Sequence, residues 1–398
     1  FEDGLKFAEL ASQCNEKFPS SYVAIEIEFI KNVSVLHWKK PLKQSLKPLE
    51  QNFYQGVECG NIEYAFHSAL FYCLHTLFSG ENFTKVRPVF EKYALLMSDK
   101  KQVYQLTLLR IWYQYLVNMS DSDINKPTLL EGVHFNESIE LDRLQKNNDI
   151  TTLFMYHLAK MKLSYHFNDL NLALEHLSKA ESYNNSVVSL YQFTEFYSCA
   201  TLILASYCRE YNKQKNTDEF QQHLAKLKEY YQLLCLWSSH SPENHLHKVQ
   251  LTAAELLSIE GNASAWQSYD IALSSAQAHQ DIHYQTIITL SAGNYWLSQK
   301  KTSIATEYIQ QAYDLCVANE AGNHANAIET KYKHILLKIP GESESSMQLE
   351  AERRRNYSQV LDLASVLKAS ETLSGEVNLQ AFLHRMMVII IENAGAQQ

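Results

Sequence analysis

An all-α protein, a superhelical solenoid of antiparallel helical hairpins, is what the sequence predicts, and three observations carry that expectation. Only 11 Gly and 7 Pro occur in 398 residues, too few for a loop-rich or all-β chain. Apolar residues recur at helical spacing almost throughout, and the few β-branched runs, such as Val388 to Ile391, sit inside helical patterns. Third, one spacing repeats: Ala265, Tyr269 and Ala272, then Ala305, Ile309 and Ala312, then Ala173, Leu177 and Ala180. Small residues seven apart stay on one side of a helix, where close approach of a neighbour requires them.

Taken in order, residues 1–17 are amphipathic through Leu5, Ala8 and Ala11, and Pro19 with Ser20 and Ser21 breaks the helix and caps the next. Residues 22–38 form a strongly apolar helix that ends before Pro41. Leu42, Leu46, Leu49 and Phe53 mark another, closed by Gly56 and Gly60. Asn61 caps a helix over 62–78, striped by Ala65, Ala69, Tyr72 and Cys73. Helices over 83–97 and 103–117 follow, with Pro88 near the first turn of the former.

Residues 120–136, acidic and holding Pro127 and Gly132, read as a loop. A helical pair over 150–167 and 170–183 turns at His166 to Asp169. Two long helices, 187–211 and 218–237, precede a loop over 238–244. Helices over 246–259, 261–277, 282–297, 301–318 and 323–336 then lead to Pro340 and Gly341. Gly293, twelve before Ala305, holds the place of the small residue in the first helix of a tetratricopeptide repeat, with Ala253 and Met161 in that place in the other units. The pattern is that of a divergent tetratricopeptide-type solenoid with elongated helices, in which stacking buries the faces that single hairpins leave open.

The tail divides differently. Residues 1–340 form the repeat domain, 341–373 a polar linker and signalling helix, and 374–398 the first helix of a truncated following domain. Val360, Leu363 and Leu367 form a narrow apolar seam that either pairs with its own copy or folds back on the solenoid. The chain begins without Met inside a helical pattern, so it is expected to be a piece of something longer.

Composition excludes several functions. A net charge of −9 disfavours nucleic acid, and the basic run at Arg353 to Arg355 is flanked by Glu350 and Glu352. Seven scattered cysteines without a paired motif read as reduced core thiols of a cytoplasmic protein. No run is apolar enough to span a membrane. Candidate chemistry is sparse. His240, His245 and His247 cluster around Pro242, but no Cys or carboxylate stands at ligand spacing, so a solvated loop is the reading and no metal or cofactor is expected. Glu26 with Glu28, and Glu137 with Glu140, are carboxylate pairs of the kind found on most helical surfaces. Tyr22, Trp38, Tyr54, Tyr64 and Tyr72 recur through neighbouring helices and are candidates for a groove lining, against the alternative that they are core.

The stretch from Leu361 to Val377, followed by Leu379 and by Ile389 to Gln397, resembles the entry into a GAF domain in very large hybrid signalling proteins of bacteria and fungi. Upstream, the segments beginning at His37, Gly60, Pro242 and Gly261 resemble the helical region of the same family. The resemblance implies the order serine/threonine-kinase-like domain, AAA-type ATPase, helical repeats, GAF domain and histidine kinase. No phosphate loop, HRD or DFG triplet, or phospho-acceptor box is present here, and His384 lacks the surroundings of one. The implied role is therefore a non-catalytic module that binds a protein or peptide on its concave face, self-associates through its C-terminal helices, and couples kinase and ATPase regions to the output. A small-molecule sensor is the alternative.

Overall fold

The computed structural model describes residues 1–336, and among these every regular element is helical. The helices are α1 (Glu2–Lys17), α2 (Ser21–Ile30), α3 (Leu46–Glu58), α4 (Ile62–Phe78), α5 (Phe83–Asp99), α6 (Val103–Ser120), α7 (Glu137–Lys146) and α8 (Ile150–His166). They continue as α9 (Leu170–Tyr183), α10 (Tyr191–Gln214), α11 (Thr217–His240), α12 (Pro242–Ile259), α13 (Ala265–Ala278), α14 (Ile282–Ser298), α15 (Thr302–Ala318) and α16 (Gly322–Tyr332). Neighbours in sequence pack against each other, most closely α3 with α4, α8 with α9, α10 with α11, α12 with α13 and α14 with α15. The fold is an all-α helical-repeat solenoid. The expected linker, the seam of Val360, Leu363 and Leu367 and the truncated domain lie outside the described residues.

One turn builds most of these hairpins. Seven non-glycine residues, among them Asn168, Gln280, Lys300 and Glu320, adopt positive φ, as do Gly60, Gly80 and Gly261. Each follows a helix end. The next backbone N–H reaches back to the carbonyl five residues earlier: Asp281 to Ala276 at 3.0 Å, Lys301 to Trp296 at 3.0 Å, Ala321 to Cys316 at 2.9 Å. That bond closes the last turn of the outgoing helix. The donor residue is in several cases Asn or Asp, whose side chain then caps the incoming helix: Asp149 to Thr152, Asp169 to Leu172, Asp281 to Tyr284. Two helices are thus capped within two residues.

The repeated small residues pack as expected. Ala173, Leu177, Ala180, Ala265, Tyr269, Ala272, Ala305, Ile309 and Ala312 are all buried. A Cβ placed on Gly293 would stand 2.7 Å from Ile309 Cγ1, so the glycine is what lets α14 and α15 approach. Cys73, Cys199, Cys208 and Cys316 are buried, and all seven cysteines are free.

Two expected segments differ. Residues 22–38 are not one helix: α2 ends at Ile30, a wide π turn covers Lys31–Val35 and a 3-10 turn Leu36–Trp38. Asn32 bonds its own helix at Glu28 O (2.8 Å), and the unwinding delivers His37 and Trp38 into the core. The expected loop over 238–244 is likewise absent. α11 continues through His240 and α12 begins at Pro242, because proline at the first helical position needs no N–H partner.

The solenoid closes on itself. Asn244 of α12 accepts from Leu42 N (2.8 Å) and donates to the carbonyls of His37 and Lys40 (both 2.8 Å). Asn319 accepts from Phe83 N (3.0 Å), and Asn323 donates to Asn118 O (2.8 Å). Two glycines mark the closest approach: a Cβ on Gly80 would collide with Asp281, and one on Gly322 would stand 2.8 Å from Ser120 O. One hydrophobic cluster runs from Val33 to Tyr332 across this seam. Among the described residues no helix is long and apolar enough to cross a membrane.

Candidate functional site

Closure turns the inner helix faces toward one another and fills the middle of the ring with charge. Glu195 on α10 accepts from Lys162 of α8 (2.6 Å) and from Lys248 of α12 (2.5 Å), and all three residues are buried. Lys248 also donates to Tyr191 OH (2.8 Å) and lies over the rings of Tyr191 and Tyr284. Burial alone would raise the Glu195 carboxyl, but the two ammonium groups outweigh it and hold the pKa at about 2. Burial, the largest single effect, disfavours the charge on Lys248, but Glu195, Tyr191 and Asp281 together outweigh it and raise the pKa. Asp281 adds a second carboxylate, 3.4 Å from His247 Nε2. The four charges cancel, as an interior of low polarity requires.

Against this core lies a small space of about 30 Å³, whose lining includes Lys162, Glu195, Asp281 and His283. That is about the volume of one water. Nε2 of His283 has no partner among the described residues.

A much larger opening lies to one side. A cleft of about 990 Å³ runs between α8, α10, α12, α14 and α16. Ile259, Ile287 and Ile328 give it an apolar floor; Arg209, Asn168, Asn294 and Lys331 give it polar walls. Arg209 is tied from behind to Glu255, which is buried and also accepts from Tyr269 OH (2.8 Å). Tyr332 OH donates to Asn294 Oδ1 (2.7 Å), and Lys331 Nζ to Asn168 Oδ1 (2.5 Å).

The residues singled out from sequence fall elsewhere. The five aromatics do not share one surrounding, though Tyr54 and Tyr72 both lie beside Lys92 and Tyr93. Tyr22 is exposed. Trp38 is buried, stacked on Phe1 (4.9 Å) and edge-on to Trp237 (5.9 Å). Tyr54 accepts a bond from Lys92 (3.0 Å), and Tyr72 packs edge-on to Tyr93 (5.7 Å). Tyr64 alone borders a hollow, of about 200 Å³, shared with Phe29, His67 and Tyr104.

His245 and His247 are helical and buried, not solvated. Two residues apart they point roughly 200° from each other. His245 stacks on Tyr191, while His247 faces Asp281 and Tyr284. His240 sits on another helix beside Phe1. Among the described residues no group of three or more such side chains could hold a metal. The carboxylates are engaged structurally: Glu28 with Lys31 (2.7 Å), Glu137 with the buried Lys160 (2.9 Å), Glu140 with Arg143.

Sequence reasoning missed the central charges and the cleft. The available signal was a lone charge in an apolar helical stretch, at Lys162, Glu195 and Lys248; nothing local says that they meet. What fold and site define together is, among the described residues, a closed helical-repeat protein with an ionic core and a polar-walled cleft. No protein-family model matches the chain, and no curated protein matches it.

Proposed function

We propose that the chain is a non-catalytic binding and coupling module, the tetratricopeptide-like region of a cytoplasmic multidomain sensor kinase of the hybrid type that its sequence resembles. It binds a partner protein or peptide and passes its state toward GAF and histidine-kinase output. The observation that supports this most is the place of the cleft. Its walls come from α8, α10, α12 and α14 and from α16, the last described helix, which also closes the ring against α6. An occupant there touches the element that leads into residues 337–398, and differential binding is what shifts a conformational equilibrium.

The parent reading frame tests the family: an ATPase before Phe1 with a GAF domain and histidine kinase after Gln398 is the expected outcome, and an unrelated neighbourhood overturns it. Self-association is tested by light scattering on the full chain and on the chain cut after Pro340. A dimer that becomes a monomer supports a role for the segment holding Val360, Leu363 and Leu367; two monomers refute it.

A second reading, a small-molecule effector site, is favoured by the size of the cleft, which lies at the upper end of the range for such ligands. Concentration-dependent thermal stabilisation separates it from a surface that takes only proteins.

A further inference from the structure

The hydrogen-bonding polarity of the cleft walls selects among ligands. Lysine can only donate, so Asn168 must turn its oxygen toward Lys331, leaving its NH₂ group directed elsewhere. Asn294 has its oxygen bonded to Tyr332 OH in the same way. Neither NH₂ group has a partner among the described residues. Arg209 bonds Glu255 through one Nη, and its side chain, 35% exposed, lines the cleft. Lys331 lies over the Tyr332 ring and has no carboxylate within ion-pair distance among the described residues. Opposing these donors is a single carboxylate of the lining, Glu210, which is solvent-exposed and already bonded to Gln214. The floor beneath is aliphatic.

We propose that the cleft binds a small organic anion, with its carboxylate or phosphate held by Lys331, Asn168, Asn294 and Arg209 and its apolar body laid on Ile259, Ile287 and Ile328. A group offering only acceptors suits all four, whereas a ligand donor would face donors on every side. The apolar floor supplies the remaining binding energy by area removed from water. This rests on the effector reading of the cleft and adds the class of effector.

The test uses the full chain in thermal-shift titrations at matched ionic strength. The probes are 2-naphthoate, phenyl phosphate, their uncharged counterparts 2-naphthamide and phenol, and a glutamate-rich peptide. One or both small anions should stabilise the chain at millimolar concentration, and which of them does so tells carboxylate from phosphate. Asn294→Asp keeps the acceptor for Tyr332 and replaces the donor by a negative charge; with Lys331→Glu it should weaken anion binding about tenfold or more. Both residues are exposed, so each variant keeps the fold, as its unliganded melting verifies. Equal binding of acid and amide, or unchanged binding in both variants, overturns the anion inference and leaves an effector cleft standing. Binding of the peptide alone overturns it in favour of a protein partner. Stabilisation by no probe overturns the inference, and failure of a broad neutral library as well removes the effector reading itself.

Discussion

Helices α13 to α15 and helices α8, α10 and α12 bury their facing surfaces with opposite chemistry. The first group uses alanine and glycine: Ala272, Gly293, Ala305 and Ala312 let backbones approach, and large side chains fill the gaps. The second brings three charged side chains to one point through Lys162, Glu195 and Lys248. Apolar packing is forgiving of volume-conserving swaps. A buried ionic cluster is not, because removing one member leaves another charge without water or partner. The contrast assigns different tasks: small residues let neighbouring helices approach, while the charges fix how the first helices of three consecutive hairpins meet inside the ring.

The largest expected effect breaks the ionic side. Glu195→Gln leaves two buried ammonium groups facing an amide and should cost about 3–5 kcal/mol, read from urea denaturation. Replacing the whole cluster, Lys162→Met, Glu195→Leu and Lys248→Met together, should recover most of that loss. If the single variant is as stable as the parent, the charges do not hold the ring.

Acid should act next. His37 bonds Ser189 O at 3.0 Å and His75 bonds Ser45 at 2.7 Å; each has its other ring nitrogen buried and unpartnered. Burial lowers His37 to about 4 and His75 to about 3, the neighbouring His37 adding to the latter. Their folded pKa values lie below the unfolded value near 6.5, so the unfolded chain takes up protons first and stability falls as pH drops below about 6.5. At about 1.4 kcal/mol per group and pH unit, the pair should remove roughly 3 kcal/mol by pH 5.5. Glu195 does not contribute in this window, because its stabilisation is lost only as pH falls from about 4.5 through about 2. Denaturation midpoints that stay flat from pH 7 to pH 5 would refute the assignment of both imidazoles as neutral.

The apolar side is probed by Gly293→Ala. The added methyl meets Ile309 Cγ1 at 2.7 Å and should cost about 1–3 kcal/mol by overpacking, offset by about 1 kcal/mol of helix propensity. Adding Ile309→Ala, which removes the Cγ1 that the new methyl meets, should cost less in the Gly293→Ala background than in the parent, a coupling that a double-mutant cycle measures.

How much of this was legible in the sequence follows the same division. The alanine spacing, Gly293 and the turn at Asn168 depend on residues within one or two helices, and period alone reveals them. The unwinding at Lys31–Val35 and the burial of His245 and His247 depend on what lies across the seam, some 200 residues away in the chain, as the bond from Leu42 to Asn244 illustrates. Period cannot report that. The five aromatics illustrate the same limit: period puts Tyr54, Tyr64 and Tyr72 on their helices, but whether Trp38 faces a groove or Trp237 is decided by closure of the ring. The cleft is harder still, since Arg209, Asn294 and Lys331 come from three helices and none belongs to a motif.

The smallest effect tests whether the shared turn carries strain that both kinds of packing absorb. Lys300, with φ of 57°, joins α14 to α15 in the alanine-rich region, and Gln280, with φ of 55°, joins α13 to α14 beside the seam. A residue with a Cβ costs roughly 1–2 kcal/mol in this conformation, whereas glycine adopts it freely but loses roughly 0.5–1 kcal/mol of chain entropy on folding. Lys300→Gly should therefore raise stability by roughly 0.5 kcal/mol. Its side chain is exposed, and the bond from Lys301 N to Trp296 O is a backbone contact that the substitution keeps. Gln280→Gly should do the same, because the seam uses only the Gln280 carbonyl, which accepts from Lys43 at 3.4 Å. Equal gains at both positions mean that the turn is a local device independent of what it joins. A gain at Lys300 with a loss at Gln280 means that the seam relies on the stiffness of that turn, and the ionic and apolar regions are then coupled through their connections as well as through their cores.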